Sequence, residues 1–221
     1  MRDLSRKVLI VTPHLGDAVL NCGELAAAHP GAVVITAFAG IPSNAYVVPE
    51  WDAACGFSSP RDAVTVRRRE ERRALETLEA EPCWLSCPES QYRRTVRIED
   101  TALRLARAFR RHRAELVAIP LGLLEGDHRL ASEAALRLAR ASDCEWLVYD
   151  DALPGTAREG LRERLACFAL EPFELAADPH HGYLKRRAVE NYESLQRGFA
   201  RTGRDLRATA AAPERYWRLR F

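Results

Sequence analysis

The strongest constraint on the fold is a short apolar run that leads directly into a turn and then an amphipathic helix. Residues 7–12 are almost all β-branched or apolar, which is typical of a parallel strand buried on both faces. Residues 13–17 contain the proline and glycine of a turn, and apolar positions then recur at helical spacing until Pro30 and Gly31. This strand–loop–helix order predicts the first unit of a parallel sheet.

The alternation of strands and helices continues to about residue 150. The further predicted elements are strands at 32–39, 83–86, 115–119 and 146–149, helices at 60–80, 98–112 and from about 127, and a long functional loop at 40–60. Beyond them we expect a short helix at 157–167, a strand at 173–176, a helix at 183–199 and a mobile Ala-rich stretch at 208–212. Because no linker interrupts the pattern, we predict an α/β fold: one Rossmann-like domain over residues 1–221, with a mostly parallel sheet and helices on both faces.

Charge and composition exclude several classes of function. The 33 basic and 31 acidic side chains nearly cancel, to a net charge of +2, so there is no electrostatic footprint for nucleic acid. The apolar run near the N-terminus is too short for a signal peptide or a membrane span, which makes the cytoplasm the default location. The six cysteines lack paired CxxC spacing and are expected to be free thiols. The oligomeric state is open, and a homo-oligomer is compatible with the sequence.

Two segments at predicted strand ends carry metal-binding chemistry. His14 and Asp17 lie three residues apart after the first strand, and imidazole and carboxylate are ordinary zinc ligands. Spacing alone favours a hydrogen-bonded turn over a metal site. His128, preceded by Asp127, follows a later strand at the same predicted sheet edge and supplies a third ligand. In the alternative interpretation Asp127 caps the next helix and His128 is an exposed residue of its first turn.

These segments resemble two motifs of the LmbE-like, or PIG-L, zinc N-deacetylases. Residues 13–23 are similar to the family motif PHLDDAxLSxGG, and residues 120–128 to its second motif, PLGLxxHVDH. The resemblance extends over nearly the whole chain, with weaker similarities that include Trp51-Asp52, Arg67, Tyr92 and residues 214–217. It implies removal of an acetyl group from an N-acetylglucosamine-type conjugate by a zinc site at His14, Asp17 and His128, with another divalent metal as the alternative.

Two positions depart from the family pattern. The family's general base falls on Gly16, which has no side chain, and its oxyanion histidine falls on Glu125. A general base contributes roughly 10²- to 10⁴-fold to the rate, so catalysis is expected to be weakened. Glu125 could take over water activation, and with Asp127 it forms the predicted catalytic pair. The rival hypotheses are a catalytically degenerate binding module of the same fold and, less favoured, a structural subunit that docks a partner.

The resemblance also suggests residues that contact the sugar. It places the segments of Arg67, Asp52 and Tyr92 around the mouth of the pocket, so these three are the predicted substrate-binding residues. The ordinary alternative for Arg67 is a solvated position in a charged helix, where such ion pairs contribute little. The expected ligand is a small-molecule amino-sugar conjugate.

Overall fold

One seven-stranded sheet forms the centre of the molecule. The computed structural model describes residues 6–43, 47–93, 95–123, 126–140, 142–151 and 169–220. The strands are β1 Val8–Thr12, β2 Val33–Thr36, β3 Glu81–Trp84, β4 Leu116–Pro120, β5 Glu145–Tyr149, β6 Ala169–Phe173 and β7 Tyr216–Arg220. Their order in the sheet is β3-β2-β1-β4-β5-β7-β6. The first five strands of this order are parallel to one another, and β7 runs antiparallel to both of its neighbours. The predicted α/β fold with a mostly parallel sheet is therefore confirmed.

Helices cover both faces of the sheet. They are α1 Asp17–Ala27, α2 Glu50–Ala54, α3 Pro60–Thr77, α4 Ile98–His112, α5 Asp127–Ala139, α6 Pro179–Val189, α7 Glu193–Arg201 and α8 Leu206–Ala210. Alternate residues of β1 point to opposite faces, as strand geometry requires. Val8 and Ile10 join a core with residues of α1, α3 and α6, while Leu9 and Val11 join a second core with residues of α4 and α5. Burial on both faces explains why β1 is uninterruptedly apolar.

Several predictions beyond the central strands were wrong. The stretch 40–60 contains the short helix α2, and the helix predicted at 183–199 is two helices, α6 and α7. The strand predicted at 173–176 lies earlier, at Ala169–Phe173. Residues 208–212 include the end of α8, where Ala210 is buried, and the mobility expected there stays a prediction. The helix predicted at 157–167 falls outside the described residues.

A buried ion pair fixes the C-terminal segment against α1. Cys22 has non-helical backbone angles, so α1 is kinked there and exposes backbone amides in its middle. The carboxylate of Glu214 accepts hydrogen bonds from the amides of Glu24 (2.9 Å) and Leu25 (3.3 Å) and pairs with the ammonium group of Lys185 at 2.7 Å. Glu214 therefore supplies the acceptor that the kink removes from the helix.

The described cysteines are free thiols, as predicted; Cys167 lies outside these residues. Within the described part of the chain, no helix is both long enough and apolar enough to cross a membrane.

Candidate metal centre and active-site cavity

The two histidine loops meet where the strand order of the sheet reverses. The chain passes from β1 outward to β2 and β3 on one side and from β4 to β5 on the other, so β1 and β4 are adjacent central strands. Loops diverge at this point of a doubly wound sheet and leave a crevice beyond the carboxyl ends of the strands. His14 follows β1, His128 lies in the first turn of the helix after β4, and their ring centroids lie 5.2 Å apart. The predicted shared edge is thus confirmed.

Asp17 lies between the two histidines. Its Oδ2 atom is 3.3 Å from Nδ1 of His14 and 3.6 Å from Nε2 of His128. One ligand atom from each of the three residues lies within 4.8 Å of the others. Two imidazole nitrogens and one carboxylate oxygen are a normal donor set for a catalytic zinc ion, which keeps a further position open. The three residues therefore fit a divalent metal.

Each histidine also contacts a buried carboxylate through its other ring nitrogen. Nε2 of His14 lies 3.1 Å from Oδ2 of Asp127, and Nδ1 of His128 lies 2.8 Å from Oδ2 of Asp151. Metal-binding histidines commonly donate their second N–H to a carboxylate, which fixes the tautomer and the ring orientation. Both rings are thus held so that the remaining nitrogen is directed at Asp17.

The electrostatics of this cluster favour the binding of a proton or a metal cation. Burial lowers the pKa of His14, but hydrogen bonds with Asp127 and Asp17 outweigh it and raise the pKa well above its usual value. Burial raises the pKa of Asp17, and the hydrogen bond with His14 and the charge of His128 reverse this to a net lowering. Without an ion the cluster is expected to hold a proton instead, so metal and proton compete for the same site.

The predicted sugar contacts form one hydrogen-bonded group. Arg67 on α3 lies 2.7 Å from the carboxylate of Asp52 on α2, and the Tyr92 hydroxyl donates to the same carboxylate at 2.6 Å. Arg67 is 2% exposed, so it does not lie on the solvated face of its charged helix. Of the three, only Arg67 lines the cavity beside the metal cluster. Asp52 and Tyr92 hold its guanidinium in place from behind.

A cavity of about 580 Å³ joins these groups. Its lining includes His14, Asp17, His128 and Arg67, and also three residues that sequence reasoning missed: Asn21, Glu89 and Asp151. Burial raises the pKa of Glu89, and the nearby charges of His14 and Arg67 oppose this shift. Glu89 and Asp151 each lie shortly after the carboxyl end of a parallel strand, which is the signal that could have found them.

Sequence comparison assigns the family. Residues 9–139, more than half of the chain, match PIG-L, the GlcNAc-PI de-N-acetylase family. The chain belongs to the PIG-L family. No curated protein matches it.

Solved structures of low sequence identity share the fold of this PIG-L chain. A deacetylase triple mutant from the teicoplanin biosynthetic pathway has a TM-score of 0.79 and 23% identity, covering 97% of this chain and 98% of that one. The antimicrobial reagent A40926 pseudoaglycone deacetylase has a TM-score of 0.76 and 22% identity, covering 98% and 97%. The N,N'-diacetylchitobiose deacetylase of Pyrococcus horikoshii has a TM-score of 0.56 and 16% identity, covering 86% and 70%.

Gly16, which aligns with the first Asp of the motif PHLDDAxLSxGG, adopts a conformation that suits glycine. Its φ is 101°, and a Cβ atom built there would lie 2.6 Å from Cδ1 of Leu195. Its amide donates to Oε2 of Glu71 at 2.7 Å, and the Tyr192 hydroxyl donates to the same oxygen at 2.6 Å. Burial raises the pKa of Glu71 to about 7, although both hydrogen bonds lower it. The place of a side chain at position 16 is therefore filled by α7.

The structure describes only one of the two predicted catalytic acids. Glu125 lies outside the described residues. Asp127 is buried at the start of α5, with Gly126 as the N-cap, and besides His14 it accepts a hydrogen bond from the Ser90 amide at 2.8 Å and pairs with Arg93. These contacts occupy both carboxylate oxygens, so the arrangement favours a positioning role for Asp127.

Proposed function

We propose that this PIG-L family protein is a divalent-metal-dependent N-deacetylase of N-acetylated amino sugars or their conjugates. The observation that carries the proposal is the convergence of His14, Asp17 and His128 at the crevice of the sheet, with a carboxylate behind each histidine. Zinc suits a site with two imidazole ligands. Family membership supplies the substrate class, since the family is described by a GlcNAc conjugate.

The residues of the cavity suit amide hydrolysis. A divalent metal held by the three ligands would supply Lewis acidity, which polarises an amide carbonyl and makes water a better nucleophile at neutral pH. Water oxygen then bonds to the acyl carbon, the C–N bond breaks, and the amine nitrogen takes a proton as acetate leaves. In this proposal Arg67, which pairs with Asp52 and lines the cavity, donates hydrogen bonds to the sugar.

The proton acceptor is the unusual part of this site. Asp17 is taken by the metal cluster, and Asp151 by His128 and by the amides of Gly122 (3.0 Å) and Leu123 (3.1 Å). Glu89 is the remaining acid that lines the cavity within the described residues. We propose Glu125 and Glu89 as the two candidates to replace the missing base, and Asp127 as the residue that orients His14.

A catalytically degenerate binding module is the second candidate function. The observation that favours it is Gly16, because neither a proton acceptor nor space for one is present at that position. In this case the metal cluster and Arg67 still bind an amino-sugar conjugate, but no acetate is released.

Metal content and acetate release test the two candidates together. After zinc reconstitution we expect about one metal ion per wild-type chain and none in His14→Ala, while His180→Ala, which changes an exposed histidine of α6, should bind as wild type does. Acetate release is then measured on a panel of N-acetyl amino sugars and their glycosides. Absence of metal in wild-type protein would overturn the site; metal and sugar binding without acetate release would establish the binding module.

A further inference from the structure

The cavity has an apolar wall that the metal cluster and Arg67 do not use. Leu195, Phe199 and Thr202 line the cavity from α7 and the turn after it, at spacings of four and three residues, which places them on one side of the helix. Trp51 of α2 lines the cavity beside them, and its ring meets that of Phe199 edge-on at 6.0 Å. Two of these four residues, Phe199 and Trp51, are aromatic, and Leu195 adds to the apolar surface.

This wall leads away from the loop of residues 13–17, which carries His14 and Asp17 and is called the metal loop below. Leu195 packs over Gly16, the neighbour of Asp17 in the chain, and is therefore the inner end of the wall. With a helical rise of 1.5 Å per residue, Phe199 lies about 6 Å and Thr202 about 10 Å farther along the axis. Leu195 and Phe199 are buried, whereas Thr202 is exposed, so the wall runs from the interior to the surface.

Gly198 of α7 leaves room for the side chain of Trp51 to pack closely against the helix. A Cβ atom on Gly198 would lie 2.8 Å from Cη2 of Trp51 and 2.7 Å from Sγ of Cys55. Only glycine lets the indole approach the helix this closely, and the contact holds the ring at the cavity.

A cation ends the wall. Gly203 has a φ of 72°, and the amides of Gly203 and Arg204 donate to the carbonyl oxygens of Ala200 (3.1 Å) and Phe199 (2.9 Å), which is a Schellman motif. The motif ties the backbone of Arg204 to that of Phe199. Arg204 is exposed and lines the cavity, and no carboxylate among the described residues forms an ion pair with it.

We propose that the apolar wall and Arg204 form a second subsite, which binds an apolar aglycone that carries a carboxylate or a phosphate. The inference rests on the proposed function, because the amino sugar would lie at the metal cluster with its aglycone directed along α7. Aromatic side chains bury large apolar area, and a guanidinium pairs with both kinds of anion. The subsite therefore predicts a glycoconjugate as the substrate, in preference to a free amino sugar.

Calorimetry on the metal-free protein tests this without turnover. The ligands are the methyl, phenyl, 4-carboxyphenyl and 4-phosphophenyl glycosides of N-acetylglucosamine. We expect the phenyl glycoside to bind about tenfold more tightly than the methyl glycoside, since burying a ring contributes at least about that factor. A charged group should add roughly fivefold, and the stronger of the two anions identifies the natural group. Arg204→Gln should remove only the fivefold gain, whereas Arg201→Gln, an exposed arginine of α7 that does not line the cavity, should remove neither gain.

Two results would overturn the subsite: equal affinity for the methyl and phenyl glycosides, or a gain from the charged group that survives Arg204→Gln. Its failure is distinguishable from that of the deacetylase proposal. If the order of affinities holds but no glycoside releases acetate from the zinc-loaded protein, the deacetylase proposal fails and the subsite stands. If acetate is released while the affinities are equal, the subsite alone is wrong.

Discussion

Replacing Gly16 with aspartate should destabilise the protein before it can restore a proton acceptor. A side chain at φ 101° costs about 1–3 kcal/mol. The 2.6 Å approach of Leu195 Cδ1 to the new Cβ adds about 1–3 kcal/mol of overpacking, less if Leu195 changes rotamer. The sum, about 2–6 kcal/mol, is a large part of the 5–15 kcal/mol that stabilises a typical domain. Gly16→Asp alone should therefore lose folded protein and show little gain in rate.

A double-mutant cycle at positions 16 and 195 separates the backbone strain, the steric overlap with Leu195 and the effect of the new carboxylate. Gly16→Ala introduces the Cβ without the carboxylate, so it should lose nearly as much stability as Gly16→Asp. Leu195→Val removes the Cδ atoms, and combined with Gly16→Asp it should recover about 1–3 kcal/mol relative to additivity. Only in this double variant should acetate release rise, by up to roughly 10²- to 10⁴-fold over Leu195→Val, because the acid then has room at the metal loop.

Urea unfolding and a coupled acetate assay provide the two measurements. Gly16→Asp with the stability of wild type would refute the strain argument. Additive losses in the cycle would refute the overlap between positions 16 and 195. A stable double variant with unchanged acetate release would refute the assignment of position 16 to the missing base.

Three further outcomes follow from buried charges. Asp151→Asn should weaken zinc affinity about 10- to 100-fold in a chelator competition, because the histidine ligand loses its carboxylate partner. The folded-state pKa of Glu71 is raised to about 7, above its unfolded value of about 4.5. The stabilisation that this carboxyl contributes is therefore full below pH 4.5, and the free energy of unfolding falls by about 3 kcal/mol as the pH rises through 7. Glu71→Gln should remove this fall. Lys185→Met should destabilise by about 3–5 kcal/mol, since Glu214 stays buried without its ion-pair partner, whereas Arg187→Ala, an exposed pair on the same helix, should cost at most about 1 kcal/mol.

Each of these has a clear contrary result. Unchanged zinc affinity in Asp151→Asn would show that the carboxylate does not orient the ligand. A free energy of unfolding that falls between pH 4.5 and 7 as steeply in Glu71→Gln as in wild type, both measured in chelator, would assign the pH dependence elsewhere. Equal losses in Lys185→Met and Arg187→Ala would mean that the buried pair is no stronger than a surface pair.

The central sheet and the convergence of His14 and His128 were predictable from sequence for one physical reason. A parallel strand buried on both faces leaves an apolar run that is visible in the sequence, and its carboxyl end has a fixed place in the fold. His14 and His128 could therefore be assigned to one edge before any distances were known. The spacing of Asp17 from His14 offered a further ligand, and the resemblance to the family motif supported it.

The missed features depend on contacts between distant parts of the chain. β7 pairs antiparallel with β5 at the far side of the sheet, and nothing local to residues 216–220 specifies that pairing. Glu89 and Asp151 are single acids without a motif, and their roles come from the cavity and from His128. Asp52 was assigned to the sugar, but its position behind Arg67 depends on how α2 packs, which local periodicity cannot indicate.

Glycine at position 16 and the break between α6 and α7 belong to one arrangement. Adjacent acids of α3 hold the start of α7: Glu71 accepts from Tyr192, and Glu70 accepts from the Ser194 amide at 2.9 Å. The same oxygen of Glu71 binds the Gly16 amide, so the metal loop and α7 share one anchor. Leu195, three residues after Tyr192, is thereby held over position 16. A return of the acid thus requires a change in α7 as well, and the wall that crowds out the acid is the same wall that we propose binds the aglycone.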